Sequence, residues 1–348
     1  MRVFAQLPVD DWTKTAAAAK RAEAAGYDGV STSALAHDLF MPLAIAASVT
    51  ERVALNTSIA VAFPRSPMIT ANIGHDLQTN SGGRFELGLG SQVKGHNERR
   101  FSTPWRDPVG RMREYIESMR AIWRCWEKGE KLAFEGEHYR FTLMTPEFSP
   151  PPSGLPPIPI SIAAVRPAML KLAGRVCDGV RLHGFATKKY IDEVAMPQIE
   201  AGLEKAGRSR ESFEVWGGGF VVTGPDDETI AKGREQIRYR IAFYGSTRSY
   251  HPVLAVHGWE DLGRKLHEMS KQGRWEDMAA EVSDEVLDTF AVTASYSDLA
   301  TRVEERFGGV TDSLTLGLGT DVSEGAARGL LQDLQRIETP FRGFPTDG

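Results

Sequence analysis

Short apolar, strand-like runs alternate with amphipathic helical stretches along nearly all of the 348 residues, and that alternation leaves few folds open. "RVFAQL" (2–7) precedes the helical "DDWTKTAAAAKRAEAAG", which opens on Asp10 or Asp11 as a cap and stops at Gly26. "YDGVSTS" (27–33), "RVALNTSIAVAF" (52–63) and "RFELGLG" (84–90) read as the next three strands, with "PLAIAASVT" and "SPMITANIGHDLQTNSGG" as helices between them. Asp107-Pro108 then caps a helix whose apolar face is Val109, Met112, Ile116, Met119 and Trp123. A proline-rich tract, "TPEFSPPPSGLPPIP", reads as an extended surface loop, because "IPISIAA" (158–164) resumes the alternation at once. "DGVRLHGF", "SFEVWGGGFVVTG" and "DSLTLGLG" (312–319) supply the remaining strands, and residues 225–310 read as mainly helical. Roughly eight strands alternating with helices favour a parallel sheet, and the length fits a single-domain (β/α)8 TIM barrel better than an open sheet. Its insertions are expected at about 127–157 and 246–292, within one domain over 1–348.

Charge and cysteine content narrow the function classes. A net charge of −5 argues against a general nucleic-acid binder, so any anion site must be a local basic cluster. Cys125 and Cys177 sit inside apolar patterns and read as small core residues. No run of about 18 apolar residues occurs, and the N-terminus lacks a signal-peptide core, so the expectation is a cytoplasmic protein without a membrane partner.

In such a barrel the chemistry lies at the carboxyl ends of the strands. Those ends offer His37 and Asp38 after strand two, Asn56, Thr57 and Ser58 on strand three, and Gly88, Gly90, Ser91 and Gln92 on strand four. Strand five leads to Arg166, strand six to His183 and strand seven to "WGGG". The fourth strand ends on glycines and runs into Lys94, His96, Arg99 and Arg100, a pattern that suits close approach of an anionic ligand. The plainer reading of those glycines is a crowded barrel interior, and of those cations a solvated loop. A dinucleotide fingerprint fails because Val93 stands where the last glycine belongs. Neither a histidine–cysteine metal set nor a G-x-S-x-G elbow is present. Arg166 precedes Pro167 at a helix start, where free backbone N–H groups favour an anion.

Three segments together, "TERVALNTSIAVAFPRSPMITAN", "GGRFELGLGSQVKGHNERRF" and "IPISIAAVRPAMLKLAGRVCDGV", resemble the bacterial-luciferase-like superfamily, in its branch of oxidoreductases that use the deazaflavin coenzyme F420. The resemblance implies a barrel with insertions, a homodimer, and hydride transfer between the coenzyme and a small organic substrate. It places Asp38 at the acidic position after strand two and Ser58 and Ile59 at a strand-three bulge backing the deazaflavin, joined by a non-proline cis peptide. It sets Gly88, Gly90 and Ser91 beside the ring and ribityl chain, and Ala164, Val165 and Arg166 in the turn that cradles the phosphate. Lys94, Arg99 and Arg100 would meet the anionic tail, and Gln92 and Asn56 would hydrogen-bond the ring or substrate. His37 is the expected proton donor or acceptor, oriented by Asp38, with His183 as second candidate. Leu39 follows Asp38, and Val93 stands where glucose-6-phosphate dehydrogenases of the branch carry a glutamate, which argues against sugar-phosphate chemistry here. Two other readings share these residues: an FMN-dependent monooxygenase, and a non-catalytic deazaflavin-binding protein.

Overall fold

The computed structural model describes residues 1–319 and 322–346. Strand β1 (Arg2–Gln6) is followed by α1 (Trp12–Ala25), β2 (Gly29–Thr32), α2 (Phe40–Val49), β3 (Ala54–Thr57), α3 (Pro67–Asn80) and β4 (Phe85–Gly90). Next come α4 (Pro108–Lys128), β5 (Ile160–Ala164), α5 (Pro167–Val176), β6 (Gly179–Leu182), α6 (Met196–Ala206) and β7 (Glu214–Gly217). Helix α7 (Asp227–Gly245), β8 (Ser313–Thr315) and α8 (Glu324–Gln335) complete the alternation. The strands run parallel in the order β3-β2-β1-β8-β7-β6-β5-β4, and β3 also pairs with β4. That last pairing closes the sheet, so the chain is the (β/α)8 barrel its alternation implies.

Local chemistry sets the boundaries. The Asp11 carboxylate accepts from the Thr13 and Lys14 amides at the start of α1, and Gly26 ends that helix at φ 97°. Asp107 caps α4, Pro108 takes its first position, and Gly129 stops it at φ 68°. The expected face of α4 is the observed one, with Met112, Ile116 and Met119 fully buried. Along the strands the outward positions are apolar: Val3, Val30, Leu55, Leu87, Leu89, Ile160, Ile162 and Val180 are completely buried beneath the helices. Burying each such side chain contributes about 1.5–3 kcal/mol, so this shell supplies the main stabilisation.

Three segments depart from the simple alternation. The strand expected over 52–63 breaks after Thr57 and resumes as Ala60–Val61, which pairs with the end of β4. The seventh strand also ends early. Gly217 at φ 74° and Gly218 at φ 113° turn the chain out of the barrel. Residues Phe220–Gly224 then pair in parallel with Ala291–Ser295, a strand inside the region expected to be mainly helical. Between α4 and β5 a small antiparallel hairpin, Phe134–Glu135 with Arg140–Phe141, precedes the proline-rich loop. Among the described residues no helix is long and apolar enough to cross a membrane.

Candidate active site

Period-two alternation decides which side chains enter the barrel. With Leu55, Leu87, Ile162 and Val180 outward, the inward positions nearest the carboxyl ends fall to Gln6, Ser31, Ser33, Gly90, Ala163 and His183. One side of this mouth is a polar chain. The Ser31 hydroxyl donates to Gln6 Oε1 at 3.2 Å, Gln6 Nε2 donates to Ser33 Oγ at 3.4 Å, and Ser33 Oγ donates to the Ser58 carbonyl at 2.8 Å. Sequence reasoning missed Gln6, Ser31 and Ser33. Their signal was available: polar side chains at alternate positions of strands whose other positions are apolar.

The polar chain ends on the break in the third strand. The Ser58–Ile59 peptide is cis. Ile59 is half-buried and lies across β4, for a Cβ added at Gly90 would stand 2.5 Å from Ile59 Cδ1. Gly90 is therefore glycine because Ile59 packs onto its backbone. Gly88 answers to a different neighbour: a Cβ there would meet the Thr57 carbonyl at 2.0 Å and Arg181 Nε at 2.4 Å. Gly88 is thus closed in by the barrel's own interior groups. Asn56 also lies inside the barrel. It is fully buried below the mouth, and its amide donates to Glu86 Oε2 at 3.1 Å.

The loop after β4 folds back on itself. Buried Asn97 donates to the Ser91 and Val93 carbonyls, at 2.8 and 3.1 Å. Gln92, at φ 59°, turns its side chain to accept from the Val93 amide at 3.0 Å, so its carbonyl oxygen faces its own loop. Lys94 and Arg99 lie exposed on the short helix Lys94–Arg99, and Lys94 approaches Glu98 at 3.9 Å. Arg100 reaches the loop after β2, donating to the Leu35 carbonyl at 2.5 Å. Arg166 is exposed at the start of α5, with Pro167 in the first helical position as expected. Ala164 is buried, while the Val165 carbonyl accepts from the Tyr190 hydroxyl at 2.5 Å, which fixes the turn before α5. Lys94 and Arg166 thus stand on the rims of neighbouring strands, whereas Arg100 serves the fold.

Asp38 and His37 do not form the expected pair. Asp38 Oδ1 accepts from the Phe40 amide at 2.8 Å and Oδ2 from Arg65 Nη2 at 2.9 Å. Its carboxylate caps the approach to α2 because those N–H groups otherwise lack a partner. His37, next to it, is exposed.

His183 is the enclosed histidine of the mouth. Its Nδ1 accepts from the Phe185 amide at 2.9 Å. A backbone N–H can only donate, so Nδ1 carries no proton and the ring is the Nε2–H tautomer. Burial agrees, pushing the imidazole down to about 4. The Tyr244 ring packs edge-on at 4.3 Å, and the Tyr250 ring lies at 4.8 Å. These tyrosines come from the end of α7 and the turn beyond it, in a region read only as mainly helical with an insertion from about 246.

Below the mouth the interior is charged. Arg2 donates to Glu86 Oε1 at 2.5 Å and to Glu214 Oε1 at 2.7 Å, and Ser313 donates to Glu214 at 2.5 Å. Arg181 donates to Ser161 at 2.7 Å and stacks at 4.0 Å over Trp216. Burial pulls Arg181 down to about 10, against the pull of Glu214 and Glu86. At the opposite end of the barrel a cavity of about 390 Å³ is lined by Arg2, Arg84, Pro156 and Phe344. Two of its arginines are engaged, Arg84 donating to the Ser81, Val53 and Thr50 carbonyls and Arg2 to its two glutamates, while exposed Arg52 also lines it. The polar mouth lies at the other end, the carboxyl end of the strands, where barrels of this kind carry their chemistry.

Comparison with known proteins agrees with this geometry. The family model described as Luciferase-like monooxygenase matches residues 2–313. An uncharacterised protein of Mycobacterium tuberculosis is 45% identical over 323 residues, covering 93% of this chain and 95% of its own. A 5,10-methylenetetrahydromethanopterin reductase of Archaeoglobus fulgidus is 30% identical over 295 residues, covering 82% of this chain and 83% of its own. The solved coenzyme F420 dependent tetrahydromethanopterin reductase from Methanopyrus kandleri superposes with a TM-score of 0.77 at 22% identity, covering 97% of this chain and 99% of that one.

Proposed function

This chain belongs to the luciferase-like monooxygenase family, and from that premise we propose that it is an oxidoreductase that binds the deazaflavin coenzyme F420 and transfers a hydride between it and a small organic substrate. The observation that carries the proposal is the 30% identity, over most of both chains, to a methylenetetrahydromethanopterin reductase, an enzyme whose Methanopyrus kandleri counterpart is described as F420 dependent.

The mouth suits a flat ring with an anionic tail. Ile59, pressed onto Gly90, offers an apolar platform, and the chain from Gln6 to the Ser58 carbonyl offers donors and acceptors along one edge. Lys94 and Arg166 would meet the tail outside, with Ser91 and the turn at Ala164 and Val165 between platform and rim. When bound, the coenzyme supplies the hydride chemistry itself, so the protein must orient it, exclude water and handle one proton. The two histidines divide that work. His183 is held neutral and gives a hydrogen bond rather than a proton, while His37, exposed beside the rim, is the group for proton exchange.

Reduced F420 incubated anaerobically with a panel of ketones, aldehydes and enones tests the reading. Reappearance of the oxidised coenzyme's absorbance, dependent on protein and substrate, is expected. Turnover only with reduced FMN and oxygen would replace it with the monooxygenase reading.

A further inference from the structure

We infer that His183, Tyr244 and Tyr250 form a receptor for the oxygen of a carbonyl-bearing substrate with a flat apolar body, such as an aryl ketone. The inference rests on the oxidoreductase reading of the mouth and adds the substrate class.

Three polar heads of one aromatic cluster have no protein partner among the described residues. The Phe185 amide occupies His183 Nδ1, which leaves the Nε2–H to donate. The neighbouring ring centroids are 4.3 Å from His183 to Tyr244, 4.8 Å from His183 to Tyr250 and 5.7 Å between the tyrosines. Neither phenol oxygen hydrogen-bonds to another described residue, although the two rings lie side by side. All three residues are half-buried, so these heads stay reachable from the mouth while lacking a protein partner. Here the heads gather at the carboxyl end of β6, next to Ala163 and along the same rim as Ile59.

The sign of the recognition follows from the donors. A neutral imidazole with only its N–H free repels a cation and attracts an acceptor oxygen. Tyrosine hydroxyls also give a proton to such an oxygen, and burial keeps the Tyr250 phenol protonated well above its ordinary range. The walls are apolar: Phe185 lies 5.6 Å from Tyr250 and packs against Phe290 at 4.5 Å. A site built around an acceptor favours a ligand that carries one over an analogue lacking it, by about the net worth of a hydrogen bond where water can meet the donors instead.

Acetophenone and α-methylstyrene test this, for they differ by replacement of the carbonyl oxygen with a methylene group. Binding of each to cofactor-free protein is measured by calorimetry, with the ketone's carbonyl stretch followed by infrared difference spectroscopy. Acetophenone is expected to bind roughly three- to tenfold tighter, the factor of a net hydrogen bond, with its stretch moved to lower wavenumber. Tyr250→Phe should bring the two probes toward parity while leaving α-methylstyrene unchanged, and Tyr244→Phe is the second variant. Equal affinities in the wild type, an unshifted stretch, or equal weakening of both probes in both variants would overturn the receptor. Coenzyme binding is read separately by F420 fluorescence in the same preparations. Ketone preference without F420 binding would sink the coenzyme reading and leave the receptor standing, whereas F420 binding without ketone preference would sink the receptor alone.

Discussion

His183 has a single proton to offer, and the Phe185 amide decides which nitrogen holds it. Acid stability should show this. The unfolded chain protonates a histidine near pH 6.5, while the folded imidazole resists until about 4. Between these values the unfolded state binds more protons, so stability rises with pH through the window and is lost on acidification, by about 3 kcal/mol for this group. His183→Gln should flatten that part of a urea-unfolding profile measured from pH 4 to 7; an unchanged acid slope would show that the ring is not held neutral. His37→Ala should instead cut turnover by about 10²-fold with coenzyme binding intact, as expected for a proton-transfer group. Near-wild-type turnover would remove His37 from that role. Arg166→Ala should weaken the coenzyme roughly three- to tenfold, an exposed charge giving less than a buried one, with the loss fading in high salt. Coenzyme affinity equal to wild type would make Arg166 a solvated loop residue. Which residues were legible follows from how local their reasons are. His183 and Ser58 stand at strand ends and could be found by position alone, whereas Ile59 follows only from the family resemblance. Tyr244 and Tyr250 could not, because only tertiary packing brings the end of α7 over β6. Asp38 depends on tertiary packing as well, because its partners, the Phe40 amide and Arg65, are fixed by the start of α2 and a loop after β3.

At the scale of elements, helix ends were the most readable feature, since Asp11, Asp107, Pro108 and Gly26 each act within one turn of their own position. Strand ends were less so. "WGGGFVVTG" carries the composition of one continuous strand, yet the positive φ of Gly217 and Gly218 sends Phe220–Gly224 to pair outside the barrel. Interior glycines were ambiguous in sequence and are separable in structure. Gly88→Ala would press a methyl group against the rigid Thr57 carbonyl, whereas Gly90→Ala would meet the movable end of Ile59. Overpacking costs about 1–3 kcal/mol and more where backbone must shift. Gly88→Ala should therefore lower the urea midpoint further than Gly90→Ala, while Gly90→Ala, by tilting Ile59, should weaken coenzyme binding while the fold persists. The reverse order of stabilities would contradict this division of roles.

The whole molecule is a barrel with an apolar shell and a charged centre. The alternation of strands and helices made the shell legible, because Val, Ile and Leu mark most outward positions. The inward set, Arg2, Glu86, Arg181 and Glu214, carries no local signal in sequence, because only closure of the sheet brings its four separate strands together. Glu214→Ala would leave Arg2 with Glu86 alone and Ser313 without its acceptor, and should destabilise by about 1–3 kcal/mol. Calorimetry showing a loss under 1 kcal/mol would mean that the centre is wetter than its geometry implies. The central claim, that the open end of this barrel holds a deazaflavin, is tested most directly by titrating the purified protein with F420 and with FMN under fluorescence at low and high salt. The account predicts tighter binding of F420, with its advantage shrinking as salt screens Lys94 and Arg166 from the anionic tail. FMN binding as tightly or more tightly would contradict it.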